Sequence, residues 1–264
     1  MQSILITGAS GGMGKSAAAH FQNKGYRVFA LDKSPVTAQE NLIPVTADVT
    51  NPESVKNAVR TVRKHTDTLF AIIHFAGIYM LDSLAEIPPE DFKKAFEVNV
   101  LGAFLVNREF LSLLQRGSRI LITTSELAPL DPLPFTGLYA VTKRALDAYA
   151  YSLAMELQLL GISVSVLRAG AVDTGMLGVS TAALDRFTKH TALYSCNAER
   201  FKSIVDGVEA KKIPPEAIAR KADKILSKKN PRFVNHINRN PLLLLLNALP
   251  KRAQLAVIRK ILEP

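Results

Sequence analysis

Apolar residues along the chain cluster in short dense runs separated by longer amphipathic stretches. Ser3–Thr7, Arg27–Leu31, Leu42–Thr46, Leu69–Phe75, Arg119–Thr123 and Ile162–Leu167 have the length and composition of strands. Most are apolar on both faces, the pattern of a parallel sheet covered by helices on each side. Helical periodicity fills the intervals over Met13–Lys24, Pro88–Glu97, Val100–Leu114 and Gly137–Leu160. A further helix runs from Asn51 to about His65, with Asn51 as N-cap and Pro52 at the first helical position. Crossovers between parallel strands are right-handed, so this alternation predicts a doubly wound parallel sheet in a three-layer α/β/α domain. Such sheets bind ligands beyond the carboxyl ends of their strands, near the switch in strand order.

No repeat, low-complexity tract or linker divides the sequence, so one domain over residues 1–264 is expected. A substrate loop is expected over 175–210, carrying Met176, Leu177, Val179, Leu184, Phe187, Leu193 and Tyr194. An apolar and basic helical extension is expected over 236–264. Its Pro241–Pro250 stretch holds five consecutive leucines and is too short to span a bilayer. It reads as an interfacial helix or lid facing lipid-like substrates, or as a core or subunit-contact helix, the second being preferred.

Composition changes this picture little. Hydrophobic residues make up 48% of the chain, enough for a large core. The single cysteine, Cys196, excludes an intramolecular disulfide, and no Cys/His ladder points to a metal. The first residues lack a signal peptide's basic region and cleavage site, so a soluble, cytoplasmic protein is expected. The net charge of +10 raises the question of nucleic acid. However, many of the cations, from Lys211 to Lys260, are spread through helical segments without interleaved aromatics. They read as a solvated basic face, and no nucleic-acid partner is expected.

Chemistry gathers at the strand ends. The first strand runs into Thr7-Gly8-Ala9-Ser10-Gly11-Gly12-Met13-Gly14, and a helix follows. Glycines permit the tight turn, the approach of backbone to a pyrophosphate and close packing of helix on strand. The helix N-terminus then offers N–H donors and a favourable dipole. Gly14-Lys15-Ser16 also matches the end of a nucleoside-triphosphate loop, but Ala9 stands where that pattern needs glycine. Asp32 ends the second strand, placed either to accept hydrogen bonds from the adenine ribose hydroxyls or to serve as a turn residue. The first role favours NAD(H), with adjacent Lys33 softening discrimination so that NADP(H) is not excluded.

Tyr139 and Lys143 stand four apart and share a helix face. A phenol of pKa about 10 is a poor base at neutral pH, and a neighbouring ammonium is expected to lower that value. Ser125, just past the fifth strand, is placed to polarise a carbonyl, with Thr124 the second candidate. Together these residues resemble the short-chain dehydrogenase/reductase family, whose pattern is matched in order by Thr7-Gly8-x-x-x-Gly12-x-Gly14, Asp48, Phe75-Ala76-Gly77, Asn99, Ser125, Tyr139-x-x-x-Lys143 and Arg168–Thr174.

The resemblance implies a Rossmann fold and reversible NAD(P)-dependent oxidation of a secondary alcohol. It makes Tyr139 the general acid/base, Lys143 its partner and the ribose ligand, Ser125 the substrate-positioning group, and Asn99 the holder of a relay water. Gly8, Ser10, Gly11, Gly12, Met13, Gly14 and Asp32 would hold the dinucleotide. Asp48 and Val49 would meet adenine, and Phe75, Ala76, Gly77, Val172 and Thr174 would line the rest of the cofactor. Asn99 reads equally as a helix cap or kink, and Asp48 as a turn cap. The resemblance further implies a homodimer or homotetramer paired through Val100–Leu114 and Gly137–Leu160. Similarity of the C-terminal region to hydroxysteroid and retinol dehydrogenases points to a bulky apolar substrate. The alternative is a protein that binds NAD(H) for regulation or scaffolding without turnover.

Three departures stand out. Phe75 replaces an asparagine that helps stabilise the sheet, with His74 beside it read as a packed strand residue. Ala169 replaces a proline, which is expected to loosen that turn. The interval from Ser125 to Tyr139 is one residue longer than is common in the family, with the Pro129–Pro134 stretch expected to absorb it as a rigid loop.

Overall fold

In the computed structural model, which describes residues 1–207 and 212–263, the apolar runs form one seven-stranded parallel sheet. The strands are β1 (Ser3–Thr7), β2 (Arg27–Asp32), β3 (Leu42–Thr46), β4 (Leu69–His74), β5 (Leu114–Thr123), β6 (Ser163–Ala169) and β7 (Val234–Ile237), in the order β3-β2-β1-β4-β5-β6-β7. The order reverses between β1 and β4, which pair from Ile4↔Ala71 to Thr7↔His74. The glycine turn after β1 and the Phe75-Ala76-Gly77 turn after β4 therefore flank the switch point.

Alternation along the strands divides the core. Ile4 and Ile6 of β1, with Val28 and Ala30 of β2, face α1 (Gly12–Asn23) and a later helix over residues 215–226. Leu5, Phe29 and Leu31 face the opposite way, against α2 (Pro52–Arg63). Asn51 caps α2 by accepting from the N–H groups of Glu53 and Ser54.

The helices expected over Pro88–Glu97 and Val100–Leu114 are one continuous run. α3 (Pro89–Phe96) passes through a π-turn (Glu97–Leu101) into α4 (Gly102–Phe110) and a final 3₁₀ turn, Leu111–Leu113. β5 begins at Leu114, earlier than the sequence pattern suggests, because Leu114 pairs with Leu69 before a register shift. α5 (Gly137–Leu157) covers β5 and β6 through Leu146, Ala150 and Leu157, which pack on Ile120, Val164 and Val166.

Beyond β6 the chain forms α6 (Gly175–His190), α7 (Ser195–Gly207), α8 (Pro215–Leu226), α9 (Pro241–Asn247) and α10 (Lys251–Leu262). The expected substrate loop is thus largely two helices. Leu184 and Phe187 are buried, Tyr194 is half-buried and Leu193 is exposed. The side chains of Met176, Leu177 and Val179, residues 208–210 of that loop, and Lys211 lie outside the described residues. Leu81, Leu184, Phe187, Phe201 and Leu262 form a separate apolar cluster joining α6, α7 and α10.

Strand β7 carries no alternation strong enough to announce it in the sequence. It adds to the sheet edge by pairing from Val166↔Val234 to Ala169↔Ile237. Ala169 continues β6 instead of loosening the turn, and the next residue, Gly170, donates its N–H to Ile237 O. The leucine-rich segment is not a core helix, since no residue of α9 is buried.

Candidate active site

The glycine turn is shaped by close approaches. Gly8 has φ +68°, and a Cβ on it would lie 2.6 Å from the Ala76 nitrogen. A Cβ on Gly14 would lie 2.1 Å from Gly8 O, and one on Gly12 would lie 2.7 Å from Thr174 Cγ2. The turn thus locks β1, β4, α1 and the start of α6 together. Helix α1 begins with no side-chain cap and no acid in its first turn, leaving N–H donors free for an anion. Asp32 accepts from Ser10 N at 3.0 Å and Ser34 N at 2.9 Å, which fixes its carboxylate beside the turn. Each carboxylate oxygen keeps further acceptor capacity for a ribose hydroxyl.

A cleft of about 1310 Å³ runs along these strand ends, lined by Gly8, Ser10, Gly11, Gly12, Met13, Gly14, Asp32, Asp48, Val49, Phe75, Ala76, Gly77 and Thr174. These are the expected dinucleotide contacts apart from Val172, Tyr139 and Lys143. Val172 is instead buried in the core against β6 and α8. Asp48 accepts from the N–H and hydroxyl of Thr50, and these bonds lower its pKa below the usual carboxylate range. Its carboxylate therefore shapes the turn, while the residue still lines the cleft. An elongated groove with a glycine cradle, open helix donors and an acid beyond the second strand fits a dinucleotide.

Phe75 packs in the core where an asparagine was expected to stabilise the sheet. The strand junction is held instead by Phe75 N donating to Thr7 O at 3.1 Å and Ala76 N donating to Thr7 Oγ1 at 3.3 Å. His74 is indeed a packed strand residue: burial drives its pKa down to about 4, and its Nε2 meets Asn107 Oδ1 at 2.8 Å.

Next to the cleft, α5 presents Tyr139 against Tyr79 and Lys143 beside Gly77, two residues of its lining. Ser125, two residues past the end of β5, favours the ionised form of the Tyr139 phenol. Lys143 Nζ lies 5.7 Å from the Tyr139 ring centroid and donates to Thr123 O at 3.4 Å. Thr124 cannot take the role of Ser125, because its hydroxyl donates to Asp147 Oδ1 at 3.1 Å. The expected lowering of the Tyr139 pKa is reversed here. Burial and the neighbouring Tyr79 push it above the ordinary phenol value, and Ser125 opposes them only in part. Burial also lowers Lys143 to about 8.

Asn99 sits in the π-turn between α3 and α4, a local widening that turns its side chain inward. Its Oδ1 accepts from Ile78 N at 2.8 Å, and its Nδ2 donates to Ile78 O and to Thr142 Oγ1, each at 3.0 Å. It clamps the turn after β4 onto α5. A Cβ on Gly77 would lie 3.1 Å from Asn99 Oδ1 and 3.4 Å from Lys143 Nζ, so only glycine leaves this junction open.

Several site residues carried too little signal to be singled out. Tyr79 packs on Tyr139 with centroids 4.8 Å apart. Phe135 has φ +64°, rare for a bulky residue, and its ring meets Phe187, Tyr194 and Phe201 at 4.5, 5.4 and 5.5 Å. It ties the loop before Tyr139 to α6 and α7. Asp147 receives Arg168 Nη2 at 2.6 Å and Nε at 3.1 Å, anchoring α5 to β6 behind Ser125. The spacing of 139, 143 and 147 along one helix face was the available signal for Asp147.

Residues 2–185 match the family described as short chain dehydrogenase. The chain belongs to the short-chain dehydrogenase/reductase family. It is 31% identical over 207 residues to mouse estradiol 17-beta-dehydrogenase 2, an alignment covering 71% of this chain and 54% of that protein. The chain therefore spans about half the length of that relative. It is 26% identical to a Bacteroides thetaiotaomicron 3-ketodihydrosphingosine reductase, covering 88% of this chain and 86% of the other. Among solved structures, a short chain dehydrogenase family protein from Francisella tularensis superposes with a TM-score of 0.74 at 25% identity, covering 90% of this chain and 97% of that one. The family match ends inside α6 of this short-chain dehydrogenase/reductase.

Proposed function

We propose that the protein is a cytoplasmic oxidoreductase that moves a hydride reversibly between a nicotinamide dinucleotide and a secondary alcohol or ketone. The observation carrying this reading is the gathering of Ser125, Tyr139 and Lys143 behind Tyr79 and Gly77, which line the cleft that also holds the glycine cradle and Asp32. NAD(H) is preferred, because the Asp32 carboxylate would repel a 2′-phosphate, while Lys33 in the same cleft keeps NADP(H) within reach.

The bound nicotinamide supplies or accepts the hydride. Gly8 to Gly14 and the start of α1 would hold the phosphates. Ser125 Oγ orients the substrate oxygen toward the Tyr139 hydroxyl. Burial keeps Tyr139 protonated, so in reduction it donates its proton to that oxygen, and the Lys143 ammonium stabilises the phenolate left behind. Asn99 fixes the backbone around Gly77 beside Lys143. The substrate side is apolar: Tyr79, which packs on Tyr139, lines the cleft together with Met80, Leu81, Ala183 and Phe187. A bulky apolar alcohol or ketone fits this lining, in line with the substrates named for the steroid and sphingoid relatives.

Pairing of subunits through α4 and α5 is supported by apolar side chains left exposed there, among them Phe104, Val141, Tyr151 and Met155. The reading is tested by following NADH absorbance with NAD and a panel of hydroxysteroids, long-chain secondary alcohols and short ones, with NADP run in parallel. Tyr139→Phe is expected to lower turnover by roughly 10²–10⁴-fold while leaving cofactor affinity within a few-fold. Wild-type turnover in that variant would remove Tyr139 from the mechanism. Tight cofactor binding without turnover on any carbonyl or alcohol would favour the regulatory alternative.

A further inference from the structure

The C-terminal helices carry a surface that the hydride chemistry does not use. On α9, Leu242 and Leu245 follow i, i+3 spacing and are 59% and 68% exposed, and Leu249, just past the helix, is 38% exposed. Helix α10 turns Ile258 and Leu262 onto the α6–α7 cluster and leaves Leu255 70% exposed, with Val257 and Ile261 also open. Arg252, Arg259 and Lys260 occupy the face of α10 turned away from that cluster, all exposed. Residues 238–263 hold five Lys and Arg side chains against one carboxylate, Glu263.

Open leucines flanked by cations suit a surface that is apolar within and anionic at its boundary. A second copy of the chain suits it poorly, since an isologous contact would set the same cations against their duplicates. No described helix is long and apolar enough to cross a membrane, so the contact is with a surface and not a span. The patch is firmly attached. Asn240 N donates to Glu126 Oε2 and Asp131 N to Asn247 Oδ1, each at 2.6 Å, and Lys251 pairs with Asp131. Glu126 and Asp131 belong to the loop that follows Ser125, so whatever seats on α9 lies against the loop bordering the site.

We propose that the α9–α10 face is an interfacial membrane-binding surface that docks on bilayers rich in anionic phospholipid. The inference rests on this surface alone and is independent of turnover. It is tested by co-sedimenting the full chain with vesicles of phosphatidylglycerol mixed into phosphatidylcholine, and with phosphatidylcholine alone, at low and high salt. Binding is expected to the anionic vesicles and to weaken with salt. The L245S/L255S variant is expected to bind about 100-fold more weakly, at about tenfold per inserted leucine. R252E/K260E is expected to lose about 25-fold or more, at about fivefold per cation removed. The variants' thermal unfolding, compared with wild type, confirms that each is folded. Absence of binding to anionic vesicles at low salt, or unchanged binding in both folded variants, overturns the proposal. So does a wild-type oligomer that L245S/L255S dissociates in sedimentation velocity, which makes the face a subunit contact.

Discussion

Replacing Lys143 with methionine is expected to stabilise the cofactor-free protein while disabling it. Lys143 is 6% exposed, and burial takes its pKa from 10.5 to about 8. At about 1.4 kcal/mol per tenfold change in proton affinity, holding the charged form in the fold costs about 3 kcal/mol. Below pH 8 the lysine is charged in both folded and unfolded chains, so the cost is felt in full. Between pH 8 and 10.5 the folded protein gives up its proton first, and stability rises with pH. Above 10.5 the cost is gone. Methionine keeps the aliphatic stem and loses the long Nζ bond to Thr123 O, worth about 1 kcal/mol at most. A net gain of about 2 kcal/mol at pH 7 follows, or roughly 4–8 °C in Tm for a chain of this size. Thermal unfolding of both proteins without cofactor, at intervals from pH 6.5 to about 10.5, checks this. The gap should close as pH rises, and turnover of Lys143→Met should fall by roughly 10²–10⁴-fold. A wild type that is the more stable protein at pH 7, or a gap that ignores pH, would refute the reasoning.

Gly14→Ala places a Cβ against the Gly8 carbonyl, a backbone atom that cannot swing aside. It is expected to lower stability by roughly 1–3 kcal/mol in thermal unfolding and to weaken dinucleotide binding measured by fluorescence titration. Asp147→Ala strips Arg168 of its carboxylate and Thr124 of its acceptor; both ends of the ion pair are largely buried, at 17% and 14% exposure. A loss of about 3 kcal/mol is expected in urea unfolding, with turnover falling as α5 shifts against Ser125; a change within about 0.5 kcal/mol would show that the pair is dispensable.

The sheet was legible because its strands are apolar on both faces, and six of its seven strands stand where the pattern of short runs puts them. β7 was not, since Val234-Asn235-His236-Ile237 is too short and too polar to declare itself and pairs only because β6 offers an edge. The break expected between the helices at 97 and 100 is a π-turn, through which the helix continues while Asn99 turns inward. The leucine run of α9 reads as core by composition alone. It lies outside because its seven residues follow the last strand, where the layers covering the sheet are already filled by α1, α8 and α5.

The site divides along a different line. Which groups meet was readable, since strand ends and a four-residue helical spacing bring Ser125, Tyr139 and Lys143 together. The direction of the Tyr139 shift was not. Spacing on a helix says that a phenol and an ammonium share a face, but desolvation is summed over neighbours from elsewhere in the chain. Tyr79 comes from the turn after β4, and Gly77 lets the Asn99 clamp close over Lys143. Phe135, held in a left-handed conformation, brings α6 and α7 toward the loop before Tyr139. These elements exclude water from both groups, so burial penalises the phenolate and the ammonium alike. The same exclusion makes a protonated Tyr139 the resting form, which suits it to give a proton to a carbonyl oxygen. Oxidation in the reverse sense then depends on conditions that remove that proton, so raising the pH favours oxidation over reduction at this site.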